Sequence, residues 1–144
     1  MNDLLSEIMN NVKYKTRNLD AEVVFEDLPD CTGDKHQITQ VFTNLIDNAL
    51  KYLSPERKGI IKITGNTKNK ESIYCVEDNG IGIDPAYHGK VFEIYHRLDP
   101  HTSTEGDGLG LTIVRRILDR HKGRIWLDSE REKGSKFFVA IPTK

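Results

Sequence analysis

Four groups of residues in this chain combine side-chain types and spacings that chemistry could use. The first is Asn44, Asn48 and Lys51, set four and three residues apart. In a helix, at about 100° per residue, these three fall on one narrow stripe. Two amides and an ammonium offer an oxygen ligand to a hard cation such as Mg2+ and a positive charge to phosphate. A solvated helix edge would use the same residues without a ligand. The second group is Asp78-Asn79-Gly80-Ile81-Gly82-Ile83-Asp84, at the end of an alternating apolar run. Alternation puts Asp78 on the face of Tyr74 and Val76; if that face meets the helices, a carboxylate points into apolar surroundings and needs donors. An adenine exocyclic amine is one such donor. Gly80 and Gly82 permit positive φ and close approach of backbone to a flat ring. A tight turn capped by Asp is the plainer explanation.

The third group, Gly106-Asp107-Gly108-Leu109-Gly110-Leu111, opens an amphipathic segment. Glycines at the start of a helix expose backbone N–H groups to an anion, and the helix dipole adds to the attraction. No strand leads directly into this glycine run and no Gly-Lys-Ser/Thr follows it. It is therefore neither the dinucleotide fingerprint nor a Walker loop. The fourth group is Val91-Phe92-Glu93-Ile94-Tyr95-His96-Arg97. Phe92 and Tyr95 read either as core aromatics of a short helix or as the hinge of a lid, with Arg97 near phosphate.

The elements that must position these groups are legible from periodicity. Ile38, Val41, Phe42, Leu45, Ile46, Ala49, Leu50 and Leu53 recur at helical steps. Asp34 is placed to cap that helix and Ser54-Pro55 to end it. Leu4, Leu5, Ile8, Met9 and Val12 predict a helix over 3–17, followed by a strand over 21–28 and a turn over 29–33. Strands are expected over 60–65 and 72–77, joined by a polar turn around Asn69. A short helix near 87–93 leads into a polar stretch over 96–107. Ile113, Val114, Ile117 and Leu118 predict a helix over 109–121, capped by Gly123. Strands over 124–129 and 136–141 form a hairpin turning at Glu132-Lys133-Gly134-Ser135. Mixed helices and mostly hairpin-linked strands imply an α+β fold, a two-layer sandwich whose mixed, mostly antiparallel sheet is covered on one face by helices.

Composition narrows the classes. The chain has 144 residues, enough for one domain with its own core, and a net charge of −1. No whole-molecule field draws it to nucleic acid or to a membrane surface. Hydrophobic residues make up 37%, no apolar run approaches bilayer length, and residues 1–11 are polar and mixed in charge, unlike a signal peptide. A cytoplasmic domain with no membrane contact of its own is expected, which leaves anchoring of a longer parent protein open. Cys31 and Cys75 are not expected to pair, Cys75 reads as a small buried hydrophobe, and no Cys/His cluster suggests zinc.

Taken together, Asn-x-x-x-Asn-Ala-x-Lys-Tyr, Asp-x-Gly-x-Gly, Phe-x-x-Tyr and Gly-x-Gly-x-Gly-Leu occur in this order at domain-sized spacing. The set resembles the ATP-binding catalytic domain of sensor histidine kinases, in the superfamily shared with DNA gyrase, mismatch-repair ATPases and a class of heat-shock chaperones. The resemblance covers about residues 34–142. Residues 1–33 look like a lead-in helix and first strand belonging to the same domain, with 34–144 as the catalytic unit. It implies a Bergerat-type fold that binds ATP and Mg2+. Asn48 would ligate the metal, Asn44 and Lys51 would act at the phosphates, and Tyr52 would lie beside the nucleotide. Asp78 would accept the adenine amine, with Gly80, Gly82 and Ile83 lining the base pocket. Phe92 and Tyr95 would anchor an ATP lid over 96–107, with Arg97 near phosphate. Gly106 and the N–H groups of Gly108, Leu109, Gly110 and Leu111 would hold the phosphates. Ile94 departs from the basic residue that many members carry.

The family phosphorylates a histidine on a separate helical hairpin, in a context that none of His36, His88, His96, His101 and His121 shares. All five are read as solvated or structural. The expected activity is therefore γ-phosphate donation to a histidine-containing dimerisation domain outside this chain, with a response regulator downstream and the domain itself monomeric. Two other readings compete. One is an ATPase of the gyrase or chaperone kind, where the resemblance implies a glutamate at position 44 rather than Asn44. The other is a nucleotide-gated interaction module without catalysis.

Overall fold

The computed structural model describes residues 1–18, 21–82, 109–130 and 133–143. Among these, three helices and five strands follow one another as α1 (Asn2–Asn18), β1 (Ala21–Phe25), α2 (Lys35–Lys51), β2 (Gly59–Lys68), β3 (Glu71–Asp78), α3 (Leu109–Arg120), β4 (Arg124–Glu130) and β5 (Gly134–Pro142). The strands form one sheet in the order β1-β2-β3-β5-β4. β1 runs parallel to β2, and every other neighbouring pair is antiparallel. The α+β sandwich with a mixed, mostly antiparallel sheet is therefore the fold of this chain.

Period-two burial shows which face the helices cover. On β3 the residues Ser72, Tyr74, Val76 and Asp78 are buried and their neighbours half-exposed. Ile61 and Ile63 of β2 and Phe137, Val139 and Ile141 of β5 point the same way. They meet Ile38, Val41, Phe42, Leu45, Ile46, Ala49 and Leu50 of α2 and Val114, Ile117 and Leu118 of α3 in one core. Phe42 and Tyr74 pack edge to face with ring centroids 5.3 Å apart, a contact between helix layer and sheet. Leu4, Leu5, Ile8 and Val12 of α1 belong to the same cluster. α1 is thus built into this core.

Several boundaries differ from those expected. β1 stops at Phe25 rather than at 28, because the chain leaves the sheet and the Leu28 N–H turns to Asn2 Oδ1 at 3.0 Å. β2 runs on to Lys68 because Lys68 still pairs with Glu71. The two residues between them, Asn69 and Lys70, have φ of 54° and 62°. Positive φ at both positions is the signature of the tight hairpin turn whose twist matches the strands. α2 ends at Lys51 with Tyr52 as its C-cap, before Ser54-Pro55, and Leu53 packs on the core from outside the helix. Its start is as expected, since Asp34 accepts the Gln37 N–H at 2.9 Å.

The end of α3 corrects the role of Gly123. The left-handed residue is Lys122, with φ 59°. Gly123 N–H donates to Leu118 O at 2.7 Å and Lys122 N–H to Asp119 O at 3.2 Å, the bond pair of a Schellman motif. Gly123 is required by contact instead: a Cβ there would stand 2.4 Å from Ala140 O. Gly134 was expected in the β4–β5 turn but opens β5, paired with Glu130. Cys75 lies half-buried on the sheet face turned away from the described helices, opposite Phe138, and not in the core. Both cysteines are free. Among the described residues no helix is long and apolar enough to cross a membrane.

Candidate nucleotide site

The site is built where the C-terminal end of α2 meets the end of β3. Asn44 and Asn48 are half-buried on α2 and Lys51 is exposed at its last turn. They follow the border of the apolar face that packs on the sheet, as the stripe predicts. Tyr52 caps the helix, and its carbonyl accepts the Ile81 N–H at 2.9 Å. One bond thus ties the end of α2 to the loop after Asp78.

Asp78 closes the buried face of β3 and is only 6% exposed. Its Oδ1 accepts the Gly80 N–H at 2.9 Å. Burial pushes its pKa up from 3.8 to about 6; backbone N–H groups of Gly80 and Ser135 pull the other way, and Glu77 adds to the rise. Two neutral donors thus leave this carboxylate undercompensated for its lost hydration. A further donor placed at its remaining lone pairs would be favoured, and an exocyclic amine is of that kind.

The two loop glycines serve different ends. Gly82 has φ 75°, the conformation expected of it. Gly80 is needed for closeness: a Cβ there would lie 2.2 Å from Tyr52 O. Gly134, a turn residue by its sequence alone, supports the same spot. Its φ is 103° and a Cβ would sit 2.0 Å from Asp78 O. Side-chain patterns gave no sign of this, because the contact joins β5 to β3 across the sheet.

Arg57 and Asn79 also escaped the sequence reading. Arg57 Nε donates to Asn79 O at 2.6 Å and its Nη2 to Gly80 O at 2.7 Å. Asn79 Oδ1 accepts the Ile60 N–H at 2.8 Å while its Nδ2 donates to Lys58 O at 2.9 Å. The loop is therefore held from the α2–β2 connection. Arg57→Ala is expected to weaken ATP binding severalfold, about 1 kcal/mol for two partly solvated charge-assisted bonds. Titration calorimetry beside a melting curve checks this. An unchanged dissociation constant would remove Arg57 from the support of the site.

Leu109, Gly110 and Leu111 form the first turn of α3. The first N–H groups of any helix lack intrahelical acceptors, so this turn can offer donors to an anion. Ile83, Phe92, Tyr95, Arg97, Gly106 and Gly108 lie outside the described residues, as do the short helix near 87–93 and the lid over 96–107. Of the histidines, His36 is exposed in the first turn of α2. His121 is structural: Nδ1 donates to Ile117 O at 2.8 Å, and Nε2 accepts the Asp34 N–H at 3.1 Å. It locks the end of α3 to the cap of α2. His88, His96 and His101 lie outside the described residues.

Fold and candidate site thus combine a helix layer over one sheet face with a buried carboxylate at a strand end. The family model described as "Histidine kinase-, DNA gyrase B-, and HSP90-like ATPase" matches residues 33–144, and the chain belongs to that family. Proteins named as histidine kinases are among its relatives. The phytochrome-like protein Cph1 of Synechocystis sp. is 35% identical over 140 residues, covering 97% of this chain and 19% of that protein. The catalytic domain of the histidine kinase ThkA, in a nucleotide-free form, superposes with a TM-score of 0.79 at 32% identity, covering 99% of this chain and 92% of that one. ThkA in complex with the response regulator TrrA gives a TM-score of 0.77 at 30% identity, covering 100% of this chain and 40% of the kinase. The chain spans less than a fifth of the phytochrome-like relative's length.

Proposed function

We propose that this chain is the domain that binds Mg·ATP and donates the γ-phosphate to a histidine on a helical dimerisation domain outside it. A response regulator would then receive the phosphate, a reading supported by the ThkA–TrrA assembly. Residues 1–33 act as the lead-in of that same domain and 34–144 as its catalytic part.

The observation that carries the assignment is Asp78, a buried carboxylate with two backbone donors, set beside a helix that presents Asn44, Asn48 and Lys51. Asp78 would accept the adenine amine, with Gly80 and Gly82 leaving room for the ring and Tyr52 beside it. The donor set also fits Mg2+. Asn48 supplies a single neutral amide oxygen, which suits an ion that keeps waters and takes further ligands from phosphate. When bound, the ion supplies charge neutralisation at the β- and γ-phosphates. Lys51 adds a mobile positive charge there, Asn44 orients a phosphate oxygen, and the N–H groups at the start of α3 hold the rest. Phe92, Tyr95, Arg97, Gly106 and Gly108 would complete the lid and phosphate contacts.

The reading also rests on what α2 does not carry. At position 44 the helix has an amide, which cannot take a proton at neutral pH. Water attack thus lacks its base at this position, whereas a histidine nitrogen attacks with its own lone pair. The test is incubation with labelled ATP and Mg2+, with and without a dimerisation domain added in trans. The chain alone is expected to gain no acid-labile label, because none of its histidines stands in an acceptor context. The added domain is expected to become labelled on histidine. Stoichiometric acid-labile label on this chain by itself would refute the assignment.

A further inference from the structure

Three buried polar side chains form one row across the sheet at the edge of the site. Asp78 on β3 pairs with Ser135 on β5, and Ser135 pairs with Ser129 on β4. Their exposures are 6%, 5% and 6%. Directly opposed residues of antiparallel strands hold their Cβ atoms about 4.5–5.5 Å apart. The Ser135 hydroxyl therefore stands between a carboxylate and a second hydroxyl.

The direction of its proton follows from counting. Ser129 Oγ lies 2.9 Å from Gly134 O and 2.8 Å from Ser135 Oγ. A carbonyl only accepts, and a serine has a single proton to give. Ser129 donates to Gly134 O, so the proton between the two hydroxyls belongs to Ser135. We propose that Ser129 is a positioning residue for nucleotide recognition: it accepts the Ser135 hydroxyl proton and keeps that proton off the Asp78 carboxylate, which stays available to the adenine amine. This rests on the adenine reading of Asp78 given above.

The physical alternative in the absence of Ser129 is clear. A buried hydroxyl seeks an acceptor, and the nearest charged one across the strand pair is Asp78. An O–H bond to a carboxylate is short and strong. It would occupy a lone pair that the base needs and would favour the ionised carboxylate, as bonds to a charged form do. The other groups acting on Asp78 are the N–H donors of Gly80 and Ser135, the charge of Glu77 on β3, and Asp128, Lys133 and Lys136 around the cavity of about 200 Å³ beside it. None of them changes when only the hydroxyls are altered.

The experiment follows the Asp78 carboxyl carbon by NMR as pH is varied, without nucleotide, in the native chain, Ser129→Ala, Ser135→Ala and the double variant. ATP affinity at neutral pH is measured in parallel. Ser129→Ala is expected to lower the Asp78 midpoint by about one pH unit and to weaken ATP binding about tenfold, the scale of one charge-assisted bond. The double variant is expected to restore both, because the competing proton is gone. Ser129→Cys, close in volume and a poor acceptor, repeats the test should the alanine variant fold poorly. A midpoint that does not move in Ser129→Ala, or that falls equally in the double variant, overturns the proposal whatever the affinity does. A midpoint that moves and returns as expected while ATP affinity stays constant would support the hydroxyl assignment and overturn the adenine reading instead.

Discussion

Asp78→Asn is expected to bind ATP at least tenfold more weakly than the native chain while folding at least as well at neutral pH. The carboxylate is buried and accepts only backbone N–H groups among the described residues. A hydrogen bond to a charged group contributes about 1.5–3 kcal/mol, and the neutral amide forfeits most of it. The stability side runs in the opposite direction. The folded-state pKa is about 6 against 3.8 for an exposed aspartate. The native state then binds more protons than the unfolded state between these values, so stability falls as pH rises through that window. Roughly two units correspond to about 3 kcal/mol of destabilisation, fully present above pH 6 and absent below about pH 4. Asp78→Asn should flatten that pH dependence. ATP affinity of the native chain should fall below about pH 6, where the acceptor becomes protonated. Calorimetric titration and urea unfolding at several pH values check both halves. Unchanged affinity in the folded variant would sink the adenine assignment.

Asn48→Ala is expected to abolish Mg2+-dependent nucleotide binding, and the native chain to hydrolyse ATP very slowly despite binding it. The amide oxygen of Asn48 is the only metal ligand that α2 is proposed to supply, so its removal leaves the ion to water and phosphate alone. Asn44, one turn earlier, stands where the resemblance to gyrase- and chaperone-type ATPases implies a glutamate base. General-base catalysis contributes about 10²–10⁴-fold, and an amide supplies none of it. Phosphate release from the isolated chain should lie below that of such ATPases by a factor in this range. Addition of a matching dimerisation domain should label its histidine without raising phosphate release. Steady hydrolysis by this chain alone, lost in Asn44→Ala, would favour the ATPase reading.

Much of this architecture could be read along the chain because its signals are local. Asp34 caps α2 through a bond to a residue three positions on, and the apolar steps of α2 and α3 repeat within each helix. Alternation within β3 puts Asp78 on the face of Tyr74 and Val76, and the helices packed there make that face the buried one. Asn44, Asn48 and Lys51 share a stripe by helical geometry, and the motif order carried the family. The sequence by itself therefore determined the three described helices, most of the described strands and which candidate residues share one face of an element.

What the tertiary structure decided lies between elements. The strand order β1-β2-β3-β5-β4, with only β1 parallel to its neighbour, could not be read from periodicity. It brings Gly134 against Asp78 O, Gly123 against Ala140 O and Arg57 onto the carbonyls of Asn79 and Gly80. These residues sit where backbone meets backbone or where one loop braces another, and no repeat within a segment marks such places. The left-handed cap fell to Lys122, and Gly123 after it packs too closely on Ala140 O of β5 to carry a Cβ. Cys75 looked apolar in sequence yet faces away from the helices, because a run of alternating residues does not say how many layers cover its sheet. The row Asp78–Ser135–Ser129 exists only through register, since its members are 57 and 6 residues apart in the chain and adjacent only once three strands pair. Side-chain type and spacing specify what a segment can be, whereas close approach between segments is set by the packing that excludes water from their shared core.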